Sequence, residues 1–452
     1  KYVYCLTLFP QMPVIKSPKS IDKNKFLRTL NDPETYYGLP KDVKFCSKCT
    51  YSNQKPNSEK EYKHIIKTKK PTLNLDKKNV CSACLVSEKK KKINWNERKK
   101  ELTELCNKYR RNDGYPDCIV PGSGGKDSFY AAHKLKYEFN MNPLTITYSP
   151  HIYTTWGWDN FQSWIHSGFD NYLFTPNGRV HRLLTRLAIE NIFHPFQPFI
   201  MGQMFFPPKL AVQLSIPLVF YGENPTEYGN KSDDDKKPTK PIEYFTSENP
   251  KDSFISGFST EELKKEFLLS EYDIKHYLPI DKNQIKDKMI DVQYLGYYLP
   301  WHPQECYYYA VENSNFRPAD ERTAGTYSKY SSIDDKIDDL HYYTTFIKFG
   351  IGRATYDSSQ EIRNGEIERE EALRLVRRFD GEYSDRFEKE VFEYLSITKK
   401  EFPDIYKQFE HPEFNKQYFE KLTNKFRSPH IWKLDNNNEW QLRYKSFDIL
   451  KD

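Results

Sequence analysis

Short apolar runs alternate with amphipathic segments between residues 117 and 221. The apolar runs predict β-strands at 117–121, 144–148, 172–175 and 217–221. Between them, apolar residues at helical spacing predict helices at 129–139, 159–167 and 180–191. This alternation favours an α/β fold, with a parallel sheet and helices on both faces. Ligands bind at the carboxyl ends of the strands in such a sheet, so functional residues are expected just after each strand.

The pattern divides the whole chain into four predicted parts, of which the third contains this α/β region. Residues 1–44 are Pro-rich and poorly periodic, and read as an N-terminal extension. Residues 45–94 are Lys-rich and contain two cysteine pairs, as in a small metal-binding module. The main domain, 95–260, opens with a helix at 95–109 and ends in a polar surface excursion at 230–255. Residues 261–452 are predicted to be mainly helical, with one helix at 333–349, and to complete the active site.

Composition and charge exclude some classes of protein. The net charge of +6 on 452 residues is mild and its Lys residues are spread out, so no nucleic-acid partner is expected. No apolar run approaches the roughly 18 residues of a membrane-spanning helix, and the first residues do not resemble a signal peptide. Eight cysteines in such a chain favour a cytoplasmic protein whose thiols bind metal or do chemistry.

The most informative segment follows the first predicted strand and reads Ser123-Gly124-Gly125-Lys126-Asp127-Ser128. Glycines let the backbone approach an anion, and the N–H groups at the helix start point toward it. Ser123 and Ser128 add hydroxyl donors, and Lys126 adds a positive charge. The alternative is an ordinary Gly-rich turn between a strand and a helix.

This loop is not a Walker A motif. Val120 occupies the position of that motif's first glycine, and Asp127 follows the lysine. A carboxylate at this position is unsuited to bare phosphate but suited to Mg²⁺ that bridges phosphate oxygens. Asp127 is therefore a candidate magnesium ligand.

Two Cys-x-x-Cys pairs, Cys46 with Cys49 and Cys81 with Cys84, precede the α/β domain. Two such pairs can bind a structural Zn²⁺ tetrahedrally through four thiolates. The segment has few apolar residues, so the metal would contribute folding energy. An iron–sulfur centre or redox-active thiols are the alternatives.

The phosphate loop resembles the PP-loop of the ATP pyrophosphatase superfamily, which includes GMP synthetase, NAD synthetase and tRNA thiolation enzymes. The resemblance implies that ATP is cleaved between its α- and β-phosphates and that the loop holds pyrophosphate. It also implies that Tyr148, after the second strand, lies beside adenine. Thiolation enzymes of this superfamily often carry a nucleophilic cysteine in a loop after a later strand. The equivalent stretch is expected at 194–201, which has no cysteine.

Longer blocks resemble the bacterial N-acetyl sugar amidotransferases. They comprise the cysteine pairs and the segments 112–121, 175–186, 222–229, 322–343, 346–355 and 361–365. These enzymes act in the biosynthesis of lipopolysaccharide or of flagellar sugars such as pseudaminic and legionaminic acid. The resemblance implies an ATP-dependent conversion of an acetamido group to an acetamidino group through an O-adenylyl intermediate. It also implies a separate glutaminase subunit that supplies the ammonia.

Further site candidates follow from strand ends and from these blocks. Glu223 and Asn224 follow the fourth strand and are candidates for catalysis, by binding metal or substrate, although they could equally cap the loop. The candidates for substrate binding are Glu227, Lys329, Asp334, Asp335, His341 and Arg353. Lys329 or Arg353 would suit a carboxylated sugar, whereas Asp334, Asp335 and His341 could equally form the solvated face of a helix.

Two other functions remain open from the sequence. A tRNA-modifying PP-loop enzyme predicts a basic face and a sulfur-carrying cysteine. A zinc-ribbon adaptor without enzymatic activity accounts for the cysteine pairs but not for the phosphate loop.

Overall fold

A computed structural model describes residues 14–57, 60–229 and 237–450. Its centre is a parallel five-stranded sheet with the strand order β3-β2-β1-β4-β9. Eleven strands occur in the described residues: β1 Cys118–Pro121, β2 Pro143–Tyr148, β3 Asn171–Phe174, β4 Leu218–Tyr221, β5 Thr246–Ser247, β6 Phe254–Ile255, β7 Phe258–Ser259, β8 Ile280–Asp281, β9 Asp291–Tyr294, β10 Trp432–Leu434 and β11 Trp440–Leu442. The first four match the predicted strands within one residue at each end.

The α-helices surround this sheet and form most of the C-terminal region. They are α1 Ser82–Lys90, α2 Trp95–Tyr109, α3 Lys126–Tyr137, α4 Thr155–Ile165, α5 Gly178–Ile192, α6 Gln197–Leu214, α7 Thr260–Phe267, α8 Glu271–Ile274, α9 Lys282–Asp287, α10 Leu295–Tyr298, α11 Pro303–Asn313, α12 Asp338–Phe349, α13 Arg353–Asn364, α14 Arg369–Phe379, α15 Glu388–Leu395 and α16 Lys416–Phe426. The predicted α/β architecture and the mainly helical C-terminal region are confirmed. No helix in the described ranges is long and apolar enough to cross a membrane.

Successive strand residues face opposite layers. Ile119 and Val219 pack in one core with helices α5 and α6. Val120 and Phe220, one residue further along each strand, pack in a second core with α2, α3, α4 and α11. This alternation is the two-residue period of a strand, and it explains why helices cover both faces.

Three predicted elements needed correction. The fifth sheet strand, β9, lies in the region predicted to be mainly helical, and it has only one aliphatic residue, Val292. Residues 194–201 were expected in a loop after a strand. Instead residues 194–196 lie between α5 and α6, and residues 197–201 begin α6, which contains Pro207 and Pro208. The helix predicted at 333–349 begins only at Asp338, because the segment before it pairs with residues 152–154.

The N-terminal extension, where described, packs against the C-terminal region. Ile15 pairs with Phe409, and the Tyr37 hydroxyl donates to the Phe426 carbonyl at 2.7 Å. Residues 1–13, which include Cys5, and part of the polar excursion at 230–236 lie outside the described residues.

Candidate functional site

The carboxyl ends of β1, β4 and β9 open into a cavity of about 820 Å³. The sheet order reverses between β1 and β4, and ligands of open α/β sheets bind at such a switch point. The predicted phosphate loop, residues 123–128, and the residues after β4 form one side of the cavity. The segment before α12, together with α12 and α13, forms the opposite side.

The phosphate loop turns sharply from β1 into α3, which begins at Lys126. Gly124 has a φ of +89°, and a Cβ there would lie 2.7 Å from the Cα of Phe161 in α4. The Ser128 hydroxyl donates to the Gly125 carbonyl at 2.9 Å, which fixes the first turn of the helix. The residues Ser123, Gly125, Lys126, Asp127 and Ser128 all line the cavity, whereas Gly124 packs against α4.

Gly124→Ala is expected to lower the free energy of unfolding more than Gly114→Ala. Both substitutions place a side chain at positive φ, at a cost of about 1–2 kcal/mol. Only Gly124→Ala adds a collision with backbone, because nothing lies within 4 Å of a Cβ at Gly114. Chemical denaturation of both variants measures the difference; equal losses would show that α4 does not constrain the loop.

Lys126 and Asp127 form an ion pair at the cavity wall. The Lys126 side chain is only 6% exposed, and its Nζ contacts Asp127 Oδ2 at 2.5 Å. Asp127 Oδ1 is buried and has no hydrogen-bond partner. A buried carboxylate oxygen without a donor suits a cation ligand, so Asp127 fits the predicted magnesium site.

Glu223 lies on the same side of the cavity as this pair, in the turn after β4. The Tyr228 hydroxyl donates to Glu223 Oε2 at 2.7 Å. Burial, reinforced by the negative charge of Asp127, raises the pKa of Glu223 to about 7. Asn224 lines the cavity, and its Oδ1 accepts from the Thr226 N–H at 3.0 Å. Asn224 therefore caps the following turn, which is the alternative role that the sequence left open for this residue.

The raised pKa of Glu223 predicts a pH-dependent stability. The folded-state pKa lies above the ordinary value of 4.5, so stability is greatest below that value and falls as pH rises through about 7. The substitution Glu223→Gln removes this ionisation. At pH 8 we therefore expect the free energy of unfolding of the variant to be higher than that of wild type, by at most about 3 kcal/mol. Denaturation without divalent cations at pH 4.5 and pH 8 measures this, with exposed Glu248→Gln as the control. An unchanged pH slope would contradict the assigned burial.

The segment 333–336 brings C-terminal carboxylates to the phosphate loop. The Thr154 N–H donates to the Asp334 carbonyl at 3.1 Å, and Gly157 leaves no room for a side chain beside Asp334. Burial raises the pKa of Asp334, and a hydrogen bond with Ser123 opposes that shift. Asp335 instead turns away from the cavity and contacts His151 Nδ1 at 2.7 Å.

These residues do not form the solvated helix face that was considered from the sequence. Asp334 and Asp335 precede the helix, and Asp335 is 4% exposed. His341 lines the cavity from α12 and stacks against Phe196, with ring centroids 4.7 Å apart. Burial lowers the pKa of His341 to about 3, so the imidazole is neutral near pH 7.

Besides Asp335, three other predicted side chains lie away from the cavity. Tyr148 is buried among the aromatic rings of Phe174, Phe199 and Phe206, and its ring fills the space beside Gly202. Glu227 contacts Lys90 Nζ at 2.9 Å. Lys329 is exposed, and its Nζ donates to the Asp320 carbonyl at 2.7 Å. These positions do not support the predicted placement of Tyr148 beside adenine or the binding of a carboxylate by Lys329.

The four paired cysteines form a second, separate centre. Their sulfur atoms all lie within 4.8 Å of one another, and all four residues are buried. In a tetrahedral zinc site with Zn–S bonds of about 2.3 Å, the sulfurs lie roughly 3.8 Å apart. The distances of 3.6 Å from Cys49 Sγ to Cys81 Sγ and 4.0 Å from Cys46 Sγ to Cys84 Sγ fit that geometry. The cluster therefore fits a metal such as zinc.

The module around this centre contacts both sides of the cavity. Ser82 Oγ donates to the Gly229 carbonyl at 2.9 Å, next to the turn that contains Glu223. The Thr50 and Ser359 hydroxyls lie 2.7 Å apart, which joins the module to α13. The Arg369 guanidinium donates to the Cys46 and Cys49 carbonyls. The cysteine module thus links the turn after β4 to the helix opposite it.

Residues 324–446 match the family model described as "LPS biosynthesis protein WbpG-like, C-terminal domain". This segment contains the carboxylates before α12 and the helices α12 and α13, so it supplies one side of the cavity. In addition, an uncharacterized protein of Methanocaldococcus jannaschii is 39% identical over 83 residues. That match spans 18% of this chain and 29% of the archaeal protein.

The matched segment also supplies Asp338, Asp357 and Glu361, which line the cavity near the predicted residue Arg353 but were not predicted as site residues. Arg353 Nε contacts Asp357 Oδ1 at 2.9 Å, and the Tyr327 hydroxyl donates to Glu361 Oε2 at 2.6 Å. Burial raises the pKa of Glu361 to about 7 and that of Asp338 well above its ordinary value. Arg353, Asp357 and Glu361 are spaced four residues apart on α13, a helical spacing that could have indicated one polar face.

Most of the charged groups around the cavity are acidic. The carboxyl side chains that line it in the described part of the chain are Asp127, Glu223, Asp334, Asp338, Asp357, Glu361 and Glu366, and the basic ones are Lys126, Lys240 and Arg353. No cysteine of the described ranges lines the cavity. The arrangement offers acceptors for hydroxyl groups and ligands for cations, but no thiol nucleophile.

Proposed function

We propose that this protein is an ATP-dependent amidotransferase of bacterial surface-sugar biosynthesis. It converts the acetamido group of a sugar to an acetamidino group. The observation that carries the proposal is the cavity itself, in which the predicted phosphate loop lies across from the segment that matches the WbpG-like family model. The family match supports a role in lipopolysaccharide biosynthesis, and the resemblance of the loop to PP-loops supports ATP as a substrate.

The phosphate loop binds and orients the triphosphate of ATP in this proposal. The N–H groups at the start of α3 and the Lys126 ammonium contact the β- and γ-phosphate oxygens. Asp127 and Glu223 would hold Mg²⁺, which when bound neutralises phosphate charge. The close packing of Gly124 against α4 keeps the loop in position for attack at the α-phosphorus.

The acetamido oxygen of the sugar attacks the α-phosphorus of ATP. A P–O bond forms, pyrophosphate leaves, and the sugar carries an O-adenylyl imidate. Ammonia then adds to the imidate carbon, the C–O bond breaks, and AMP leaves with the former amide oxygen. The product is an amidine. Ammonia must lose a proton as it adds, and Glu361, with a pKa of about 7, is suited to accept it.

Turnover with free ammonium tests this function. The chain is incubated with ATP, Mg²⁺, ammonium and a panel of diacetamido sugars, and products are resolved by mass spectrometry. We expect AMP and pyrophosphate to form only with sugar present, and one sugar to exchange an oxygen for an NH group. Formation of ADP, or AMP release independent of every sugar, would contradict the proposal.

The ammonia source is tested in the same assay. We expect glutamine to replace ammonium only when a separate glutaminase is added, as the amidotransferase resemblance implies. Turnover with glutamine and this chain alone would contradict the need for a partner. The tRNA-thiolation alternative predicts instead a cysteine in the cavity, and the described residues place none there.

A further inference from the structure

Three basic side chains line the cavity in the described ranges, and two of them have acidic partners. Lys126 pairs with Asp127, and Arg353 pairs with Asp357. Lys240 has no carboxylate within ion-pair distance among the residues that the structure describes. Its Nζ instead lies 3.9 Å from the ring centroid of Tyr221, the last residue of β4.

Lys240 is held in place by backbone and aromatic contacts. The backbone N–H of Lys240 donates to the carbonyl of Val292 in β9 at 2.8 Å. The Tyr221 hydroxyl donates to the Met204 carbonyl of α6 at 3.3 Å, which fixes the ring under the ammonium. Burial lowers the pKa of Lys240 to about 8. A cation that has lost part of its hydration is stabilised by an anion that contacts it directly.

Lys240 and Lys126 lie toward opposite faces of the sheet. Lys126 begins α3, which packs on the face that contains Val120 and Phe220. Tyr221, below Lys240, packs with α6 on the face that contains Ile119 and Val219. The triphosphate of ATP binds at the start of α3 in the proposal above. Lys240 lies toward the other face of the sheet, so it remains available to a second anionic group.

The remainder of the cavity is unfavourable for that second anion. Seven carboxyl side chains line it, and those of Asp334, Asp338, Asp357 and Glu361 cluster on the side opposite the sheet. These carboxyl groups offer an anion no attraction whether or not they are protonated, and Arg353 beside them is already paired with Asp357. An anionic sugar is therefore attracted toward Lys240.

We propose that Lys240 binds the anionic group of an acidic sugar, and that it selects such sugars over neutral ones. This inference rests on the proposed function, because it names the class of acceptor that the same cavity takes. A sugar carboxylate and the diphosphate of a nucleotide-linked sugar offer the same chemistry to an ammonium group. The experiment therefore includes a probe for each.

Direct binding to Lys240 variants tests the inference without turnover. The probes are N-acetylglucosamine, N-acetylglucosaminuronic acid, UDP-N-acetylglucosamine and ATP, each measured by titration calorimetry. Lys240→Met retains an unbranched side chain over Tyr221 but removes the charge, and Lys240→Arg retains the charge. We expect Lys240→Met to weaken binding of at least one acidic sugar about tenfold or more, since charge-assisted contacts are the strong ones. Lys240→Arg is expected to lose less.

The control probes decide between the possible outcomes. Binding of N-acetylglucosamine and of ATP is expected to be unchanged in Lys240→Met, and the acidic probe that loses affinity identifies the anion. Weaker ATP binding, equal losses for neutral and acidic sugars, or no preference of wild type for an acidic probe would overturn the inference. If acidic sugars bind through Lys240 but no AMP forms, the proposed reaction fails while the binding site stands.

Discussion

Lys126→Ala is expected to reduce sugar-dependent AMP formation by at least about 100-fold, the usual effect of removing one preorganised charge-stabilising group. Lys126 is a buried cation at the start of α3, so its loss leaves the departing pyrophosphate without its ammonium contact. The rate is measured as AMP released under saturating ATP and ammonium. The melting temperature should remain close to that of wild type, because the Asp127 side chain is 38% exposed and water can solvate it after the lysine is removed.

Lys134→Ala is the matched control for this substitution. Lys134 lies two turns further along α3, pairs with Glu138 and does not line the cavity. Its variant should keep the wild-type rate. Full activity of Lys126→Ala, or an equal loss in Lys134→Ala, would remove the phosphate loop from the proposed mechanism.

Cys81→Ser is expected to release the bound metal and to lower the free energy of unfolding by more than about 4 kcal/mol, a loss typical of broken metal sites. All four sulfurs are buried together, and the surrounding module has only a small apolar cluster of its own. Activity should fall as well, because the module links the turn after β4 to α13. Elemental analysis, denaturation and AMP formation are measured on the same preparation.

Cys106→Ser serves as the control for the loss of a buried thiol. Cys106 lies on α2 and packs in the core beside the sheet, outside the cysteine module. This variant should retain stoichiometric metal and lose stability only modestly. Wild-type protein without stoichiometric metal would contradict the zinc assignment. Metal loss in Cys81→Ser without any effect on activity would contradict the linking role of the module.

Much of the sheet and of the phosphate loop could be predicted because the signals are local. Ile119 and Val120 lie in an apolar run that predicts a strand. The glycines that follow, placed between a strand and a helix, indicate a tight turn. β9 was missed because its buried residues include Gln293, whose side chain is satisfied by Asp291 and Tyr298. Such partners come from the tertiary structure and leave no periodic signal in the sequence.

The far side of the cavity was harder to predict for the same reason. Asp334 reaches the loop because Gly157 leaves space for it, and Asp335 is turned away by His151. Neither contact follows from spacing. Lys240 gave no signal at all, since its role depends on the Tyr221 ring below it and on the carboxylates that neutralise the other two cations.

The central claim is that the acetamido oxygen of a sugar receives the adenylyl group of ATP. A sugar labelled with oxygen-18 in its acetamido carbonyl, incubated with the enzyme, ATP and ammonium, tests it most directly. AMP is expected to carry the label in amounts equal to the amidine formed. Unlabelled AMP formed together with amidine, or amidine formed together with ADP, would contradict it.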